Sequence, residues 1–314
     1  MRACLLLVLP ALVALAGCDR PAPAAGPASA SAAIVGAPTI SASSARAPEP
    51  PGSIAAPPAP ALTLFDTPEE AFDAVLAQKP RVLAVGEAHA QKGTEGVASS
   101  AQRFTRQLLP RLQGKASDLL VELMLPAAGC QKKAEAVREK QKVVTEKQAE
   151  GDQNEYLTMG REAKKRGIVP DLLRPSCADL DAIDKAGQDA IVVSLRTIAR
   201  LTREQAIAAI ARGDKQGDKP PSPPMVVTYG GAMHNDTSPP PERADWSFGD
   251  ALSARVEGRY IELDLYVPEL IQDTDSWRRL PWYPHYDRTK NPGKTTLFQL
   301  GPRSYVLIFP VTAR

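Results

Sequence analysis

From residue 62 onward, short runs of uninterrupted apolar residues alternate with stretches in which apolar residues recur every three or four positions. Arg81-Val82-Leu83-Ala84-Val85-Gly86, bounded by Pro80 and Gly86, predicts a strand buried on both faces of a parallel sheet. Similar runs at Asp118 to Leu123, Gly167 to Leu173, Met225 to Tyr229 and Tyr260 to Val267 predict further strands. Thr67-Pro68-Glu69-Glu70 combines an N-cap, a proline at the first helical position and a capping-box glutamate ahead of Phe72, Val75 and Leu76, so a helix opens there and ends at Pro80. Further helices are expected near Val97 to Leu112, after Asp179, and over Ser247 to Val256. Thr202-Arg203-Glu204-Gln205 reads as a capping box opening a separate helix that ends at Gly213. This alternation predicts an α/β fold, a largely parallel central sheet flanked by helices. Thr296 to Leu300 and Ser304 to Val311, around Gly301-Pro302, add a C-terminal β-hairpin at the sheet edge. Between Gln131 and Arg166 the chain is charge-rich, with Ala134, Val137, Val144, Tyr156, Met159 and Ala163 at helical spacing. The expectation is two solvated helices inserted after the second strand, with a lid or partner-binding arm as the alternative.

The pattern before residue 62 is different. Arg2 is followed by an apolar stretch from Ala3 to Ala14 and then Leu15-Ala16-Gly17-Cys18, which resembles a bacterial lipoprotein signal. That resemblance implies cleavage before Cys18, acylation of Cys18, and anchoring to a membrane through lipid. The stretch is too short for a permanent span, and no later segment is long and apolar enough. Residues up to 61 are dominated by Pro, Ala, Ser and Gly, which gain too little by burial to offset ordering. The expected organisation is a signal peptide over 1–17, lipidated Cys18 and a disordered tether over 18–61, and a single α/β domain over 62–314. The expected location is the cell envelope, exposed outside the cytoplasm, on the periplasmic face in a Gram-negative cell.

Charge narrows the partners. A net charge of +2 from 38 basic and 36 acidic residues gives no basic field for nucleic acid, leaving the membrane anchor and a small-molecule or peptide ligand. Of four cysteines, Cys4 leaves with the signal and Cys18 is acylated, so Cys130 and Cys177 are expected to pair as a disulfide in an oxidising compartment.

Only three histidines occur, and two lie just beyond predicted strands in glycine-marked turns, Gly86-Glu87-Ala88-His89 and Gly231-Ala232-Met233-His234. Parallel α/β sheets place ligand sites at the carboxyl ends of their strands, so both turns can reach one rim. In extended chain Glu87 and His89 point the same way. A carboxylate beside an imidazole can orient it as a general base or bind a metal with it. Glu122 interrupts the apolar run Leu119-Leu120-Val121-Glu122-Leu123 and belongs at the strand's exit, facing a site or a structural cation.

Val85-Gly86-Glu87-Ala88-His89, Val121-Glu122-Leu123 and Gly231-Ala232-Met233-His234 together resemble, in the same order, the three motifs of the ChaN/erythromycin esterase/TIKI superfamily. The Gly-Glu-x-His spacing is most similar to the ChaN-like lipoproteins, although Ala90 stands where those usually carry an acid. The resemblance implies either water activation by histidine and glutamates, metal-dependent proteolysis, or haem binding. It makes Glu87, His89, Glu122 and His234 the catalytic candidates and, for a divalent metal, the candidate ligands. No matching haem-ligand motif is present.

The third histidine lies in Trp277 to Tyr286, an aromatic segment with Arg278 and Arg279. Trp282, Tyr283 and His285 are candidate ligand-binding residues, as a lid stacking on a flat ligand or as a packed surface loop. No Gly-x-Ser-x-Gly elbow, Walker loop, dinucleotide fingerprint or Cys/His zinc pattern occurs. Two functions remain open: a hydrolase in which His89 or His234 activates water, and a lipoprotein binding haem or another flat ligand without turnover. Metal and haem are both left open as cofactors. The anchor itself is testable: Cys18→Ser is expected to release the protein from the membrane fraction or leave it unprocessed, and unchanged detergent-requiring attachment contradicts acylation at Cys18.

Overall fold

A computed structural model of the chain describes residues 59–312, apart from 95, 147, 150–151 and 217–223. The signal peptide, Cys18 and almost all of the expected tether lie outside the described residues. Among those described, no helix is long and apolar enough to cross a membrane.

The chain runs β1 (Ala61–Phe65), α1 (Pro68–Leu76), β2 (Val82–Glu87), α2 (Ser100–Arg103), β3 (Ala116–Met124), α3 (Gln131–Thr145), α4 (Asp152–Lys165), β4 (Val169–Leu173), α5 (Cys177–Lys185), α6 (Ala190–Gln216), β5 (Met225–Gly231), α7 (Gly249–Arg255), β6 (Tyr260–Tyr266), α8 (Asp275–Arg278), β7 (Thr295–Gly301) and β8 (Ser304–Ile308). The strands form one sheet in the order β1-β7-β8-β6-β2-β5-β3-β4. β2 pairs in parallel with β5 and β6, and all six of its residues are buried. The strands from β8 to β4 are parallel, so the fold is α/β with a largely parallel sheet. β7 and β8 form the antiparallel hairpin near one edge, with β1 added outside it. β1 lies at the boundary assigned to the tether, where an isolated five-residue pattern carries little signal.

Local chemistry explains the helix boundaries. The Thr67 hydroxyl accepts from the Glu70 N–H and the Glu70 carboxylate accepts from the Thr67 N–H, both at 3.2 Å, closing the capping box of α1. The helix expected over Val97 to Leu112 is broken into α2, a π-turn (Phe104–Leu108) and a 3-10 turn (Leu109–Leu112). Pro110 has no N–H for the regular ladder, so the helix widens before it and tightens after it.

The largest correction concerns Thr202. α6 runs unbroken from Ala190 to Gln216 and contains both the expected cap and Gly213. A cap contributes about 1 kcal/mol, whereas a buried aliphatic side chain contributes about 1.5–3 kcal/mol. Leu195, Ile198, Ala206, Ala209 and Ile210 form one continuous buried stripe across the junction. Gly213 stays because a Cβ there would lie 2.5 Å from Pro224 Cγ and 2.9 Å from the Arg81 guanidinium.

Buried apolar clusters cover both faces of the sheet. Leu83 and Val85 of β2 pack with Phe72 of α1, Phe104 and α4 on one face. Val82 and Ala84 pack with α6 and α7 on the other. The chain leaving β2 therefore turns to the first face through α2, and the chain leaving neighbouring β5 turns to the second through α7. Such a divergence opens a crevice at the carboxyl ends of the strands. α3 and α4 are not merely solvated, since Ala134, Val137, Tyr156, Met159 and Ala163 are all buried.

Cys130, just before α3, and Cys177, opening α5, are joined by a disulfide with Cα atoms 5.2 Å apart and a sequence separation of 47. Loop-closure entropy gives such a link up to about 4 kcal/mol. Thiol labelling of the unfolded, unreduced protein should leave both cysteines unmodified, and Cys130→Ser should lower the unfolding midpoint. Labelling of both before reduction contradicts the link.

Candidate functional site

Glu87 is the last residue of β2, and strand alternation sends its side chain to the same face as Leu83 and Val85. There the Tyr156 hydroxyl of α4 donates to Oε1 at 2.6 Å, and the Tyr229 hydroxyl of β5 donates to Oε2 at 2.5 Å. His89 Nδ1 lies 3.0 Å from Oε1, as the i, i+2 spacing predicts. A buried carboxylate beside Nδ1 fixes the proton on that nitrogen and leaves Nε2 as the basic one. Burial and the adjacent Glu87 carboxylate push the Tyr156 hydroxyl well above its usual range, so it remains a donor.

Glu122 of β3 leaves its strand on the opposite face, with Leu120. Its Oε2 accepts from the Gly231 N–H at 2.9 Å. Its Oε1 is buried without a hydrogen-bond partner, 3.8 Å from His234 Nε2, which is buried and unpartnered as well. His234 Nδ1 donates to the Trp246 carbonyl at 2.5 Å, so Nε2 carries the lone pair. Burial pushes Glu122 up to about 8, opposed by the charge of His89 and the Gly231 N–H. Burial pushes His234 down to about 4, the His89 charge acting in the same direction and the Trp246 carbonyl against it. At neutral pH Glu122 holds a proton and His234 does not.

The four residues expected at one rim thus form two pairs leaving the sheet on opposite faces. His89 links them, bonded to Glu87 and acting electrostatically on both Glu122 and His234. The Ala232 N–H donates to the Glu87 carbonyl at 3.1 Å, tying the two glycine-marked turns together. Glycine is required at both crossings. A Cβ on Gly230 would lie 2.1 Å from Glu122 Oε2, and one on Gly86 would lie 2.3 Å from Asp264 Oδ1. Thr228 Oγ1 and Asn235 Oδ1 are also buried without partners, and both residues line a cavity of about 10 Å³ together with Glu122 and His234. That volume accommodates about one water-sized group.

No family model, curated protein or solved structure matches the chain.

The rim does not gather a metal's ligands. Among the described residues no three His, Cys, Asp or Glu side chains are arranged to hold a metal ion. Both Glu87 oxygens are already engaged by the tyrosines and His89. A haem does not fit beside Glu122 and His234 either, because the cavity they line is far smaller than the macrocycle.

The aromatic segment is placed differently from a stacking lid. Trp282 is 1% exposed and packs against Tyr266 with ring centroids 4.9 Å apart. Trp277, Tyr283, Tyr286 and Phe298 complete that cluster. The Tyr283 hydroxyl donates to Asp273 at 3.0 Å, and His285 is exposed. Burial of so much aromatic area together outweighs its presentation to solvent. Trp282 lines a groove of about 600 Å³ on the β6–β8 face.

Tyr156 and Tyr229 belong to the site but lie outside the sequence motifs that point to it. Tyr229 ends a predicted strand beside the Gly-Gly turn, a signal available in the sequence. Tyr156 comes from an inserted helix that only tertiary packing delivers. Glu262 and Asp264 on β6 fall within a run that reads as apolar, although Tyr260-Ile261-Glu262-Leu263-Asp264-Leu265 places both carboxylates on one face.

The two shifted groups fix a pH dependence. Glu122 titrates near 8 when folded, above its ordinary 4.5, so unfolding releases a proton between those values and stability falls as pH rises. His234 titrates near 4 when folded, below its ordinary 6.5, so stability rises with pH between those values. The slopes of these two groups oppose each other up to about pH 6.5, and of the two only that of Glu122 remains from there to about 8. Glu122 should cost the full-length protein about 2 kcal/mol of stability from pH 6.5 to 8, added to the slope of the raised Asp264 carboxyl, and Glu122→Gln should flatten the slope by that amount. An unchanged slope in chemical denaturation of the variant contradicts a protonated Glu122.

Proposed function

We propose that the chain is an envelope lipoprotein with hydrolase activity, in which the Glu–His rim activates water against an ester-like carbonyl. The observation that carries this reading is an imidazole oriented by a buried carboxylate and coupled electrostatically to a carboxyl that burial raises to about 8. His89 is oriented as a base by Glu87, whereas Glu122 is held as a protonated acid. An oriented imidazole and a protonated carboxyl supply a base and an acid to one reaction.

In the proposed reaction His89 Nε2 takes a proton from water as the water oxygen bonds to the carbonyl carbon. The imidazolium that forms is stabilised by Glu87, itself fixed by Tyr156 and Tyr229. With His89 charged Glu122 titrates at about 8, and with His89 neutral it holds its proton more tightly, so the acid strengthens as the leaving alkoxide needs protonation. The carbon–oxygen bond then breaks, and the alkoxide takes a proton relayed from Glu122 through a water held in the small cavity beside it. His89 returns its proton to Glu122 through solvent. His234 stays neutral and adds no charge that would ionise Glu122 beforehand. The resemblance to the ChaN/erythromycin esterase/TIKI superfamily implies hydrolysis or haem binding alike, and the carboxylate-oriented imidazole of His89 favours the first. No step is routed through a metal.

The test is hydrolysis of simple alkyl esters, whose poor leaving group requires protonation, by the full-length protein. The rate should fall above about pH 8 as Glu122 ionises. His89→Ala and Glu122→Gln should each reduce kcat/KM by about 10²–10⁴, the latter with loss of the alkaline limb. A His89→Ala variant as active as the parent rejects the mechanism.

A further inference from the structure

The groove of about 600 Å³ on the β6–β8 face has no role in the chemistry above, yet it shares a wall with it. Ala232 and Met233 line the groove, and His234 and Asn235, next in sequence, line the small cavity at Glu122. The Asn235 amide joins the two, donating to Asp264 at 2.9 Å from within that wall. The volume lies within the range of ligand pockets, roughly 300–1,000 Å³.

Its charges are unusual. Glu262 and Asp264 stand two apart on one face of β6, and Asp236 adds a third carboxylate. Glu262 is held only by neutral donors, the Thr237 N–H and hydroxyl at 3.0 Å and the Ser304 hydroxyl at 3.1 Å. Burial, and then Glu262 and Asp236, push the Asp264 carboxyl well above its usual range. The groove also contains Arg243 and Arg303. Arg243 contacts Met233 Sδ at 3.7 Å, and Arg303 Nη1 is buried with no hydrogen-bond partner. Among the described residues, none of these three carboxylates pairs with either arginine. Carboxyl groups with no cation against them and arginines with no anion therefore line one groove, Asp264 keeping its proton until a cation reaches it.

A purely cationic ligand would leave the arginines unmatched, and a purely anionic one would leave the carboxylates unmatched. Burying either set unpaired costs several kcal/mol per group. A ligand carrying both signs matches both. We propose that this groove binds a zwitterionic amino compound of small-peptide size, its ammonium group against Asp264 and Glu262 and its carboxylate against Arg243 and Arg303. The proposal supplies a ligand class for the hydrolase reading and rests on that reading only for turnover of the bound compound. Leu280 and Leu300, both half-buried in the wall of the groove, give the body of such a ligand an apolar surface.

Calorimetric titration of the full-length protein with trialanine, N-acetyl-trialanine and trialanine amide tests it. Trialanine should bind at least tenfold more tightly than either blocked form. Asp264→Asn should erase the penalty for acetylation while keeping that for amidation, and Arg303→Gln should do the reverse. Should Asp264→Asn fail to fold, Arg303→Gln and Arg243→Gln at the groove still decide the carboxylate half. Absence of trialanine binding, or equal binding of a blocked form, overturns the proposal. Selective binding without ester hydrolysis upholds the groove and counts against the catalytic reading alone. Hydrolysis without selectivity does the opposite.

Discussion

The Glu87 carboxylate receives donors from three segments far apart in sequence: the turn after β2, helix α4 and strand β5. An unpaired carboxylate at that depth would be several kcal/mol unfavourable, so each donor must be in place for the end of β2 to be buried. That requirement ties the inserted helices to the sheet. It also sets the tautomer of His89 and, through it, the direction in which the imidazole is basic.

Glu87 and Glu122 show how surroundings divide one chemical group into two behaviours. Glu87 has two tyrosine hydroxyls and an imidazole N–H on its oxygens. Glu122 has one backbone N–H and faces a histidine that burial keeps neutral. The consequence is a proton retained on Glu122 up to about pH 8. His89 stands between the two, so a change in its charge is felt by both Glu122 and His234.

The crossing of the backbone at Gly86 and Gly230 makes this proximity possible. Neither position has room for a Cβ, because a carboxylate from the neighbouring strand occupies the space. The same crowding brings Asp264 against β2 and places the groove and the small cavity on two sides of the loop from Ala232 to Asn235. A ligand in the groove would press on the segment that carries His234.

Strand and helix periodicity, the capping box at Thr67 and the glycine-marked turns were sufficient by themselves to determine an α/β fold and to pick out Glu87, His89, Glu122 and His234. These are local signals, readable because burial on two faces demands unbroken apolar runs and because i, i+2 neighbours in extended chain share a side. Local signals misled at Thr202, where a cap worth about 1 kcal/mol yielded to a continuous buried stripe, and left open at Trp282 a choice between a packed loop and a lid. Only the tertiary structure decided that the four residues separate into two pairs, that Tyr156 and Tyr229 hold Glu87, and that Glu262 and Asp264 share a groove with arginines they do not pair with. Those outcomes depend on contacts between segments tens to hundreds of residues apart, and on a degree of burial that no residue's own neighbours in sequence specify.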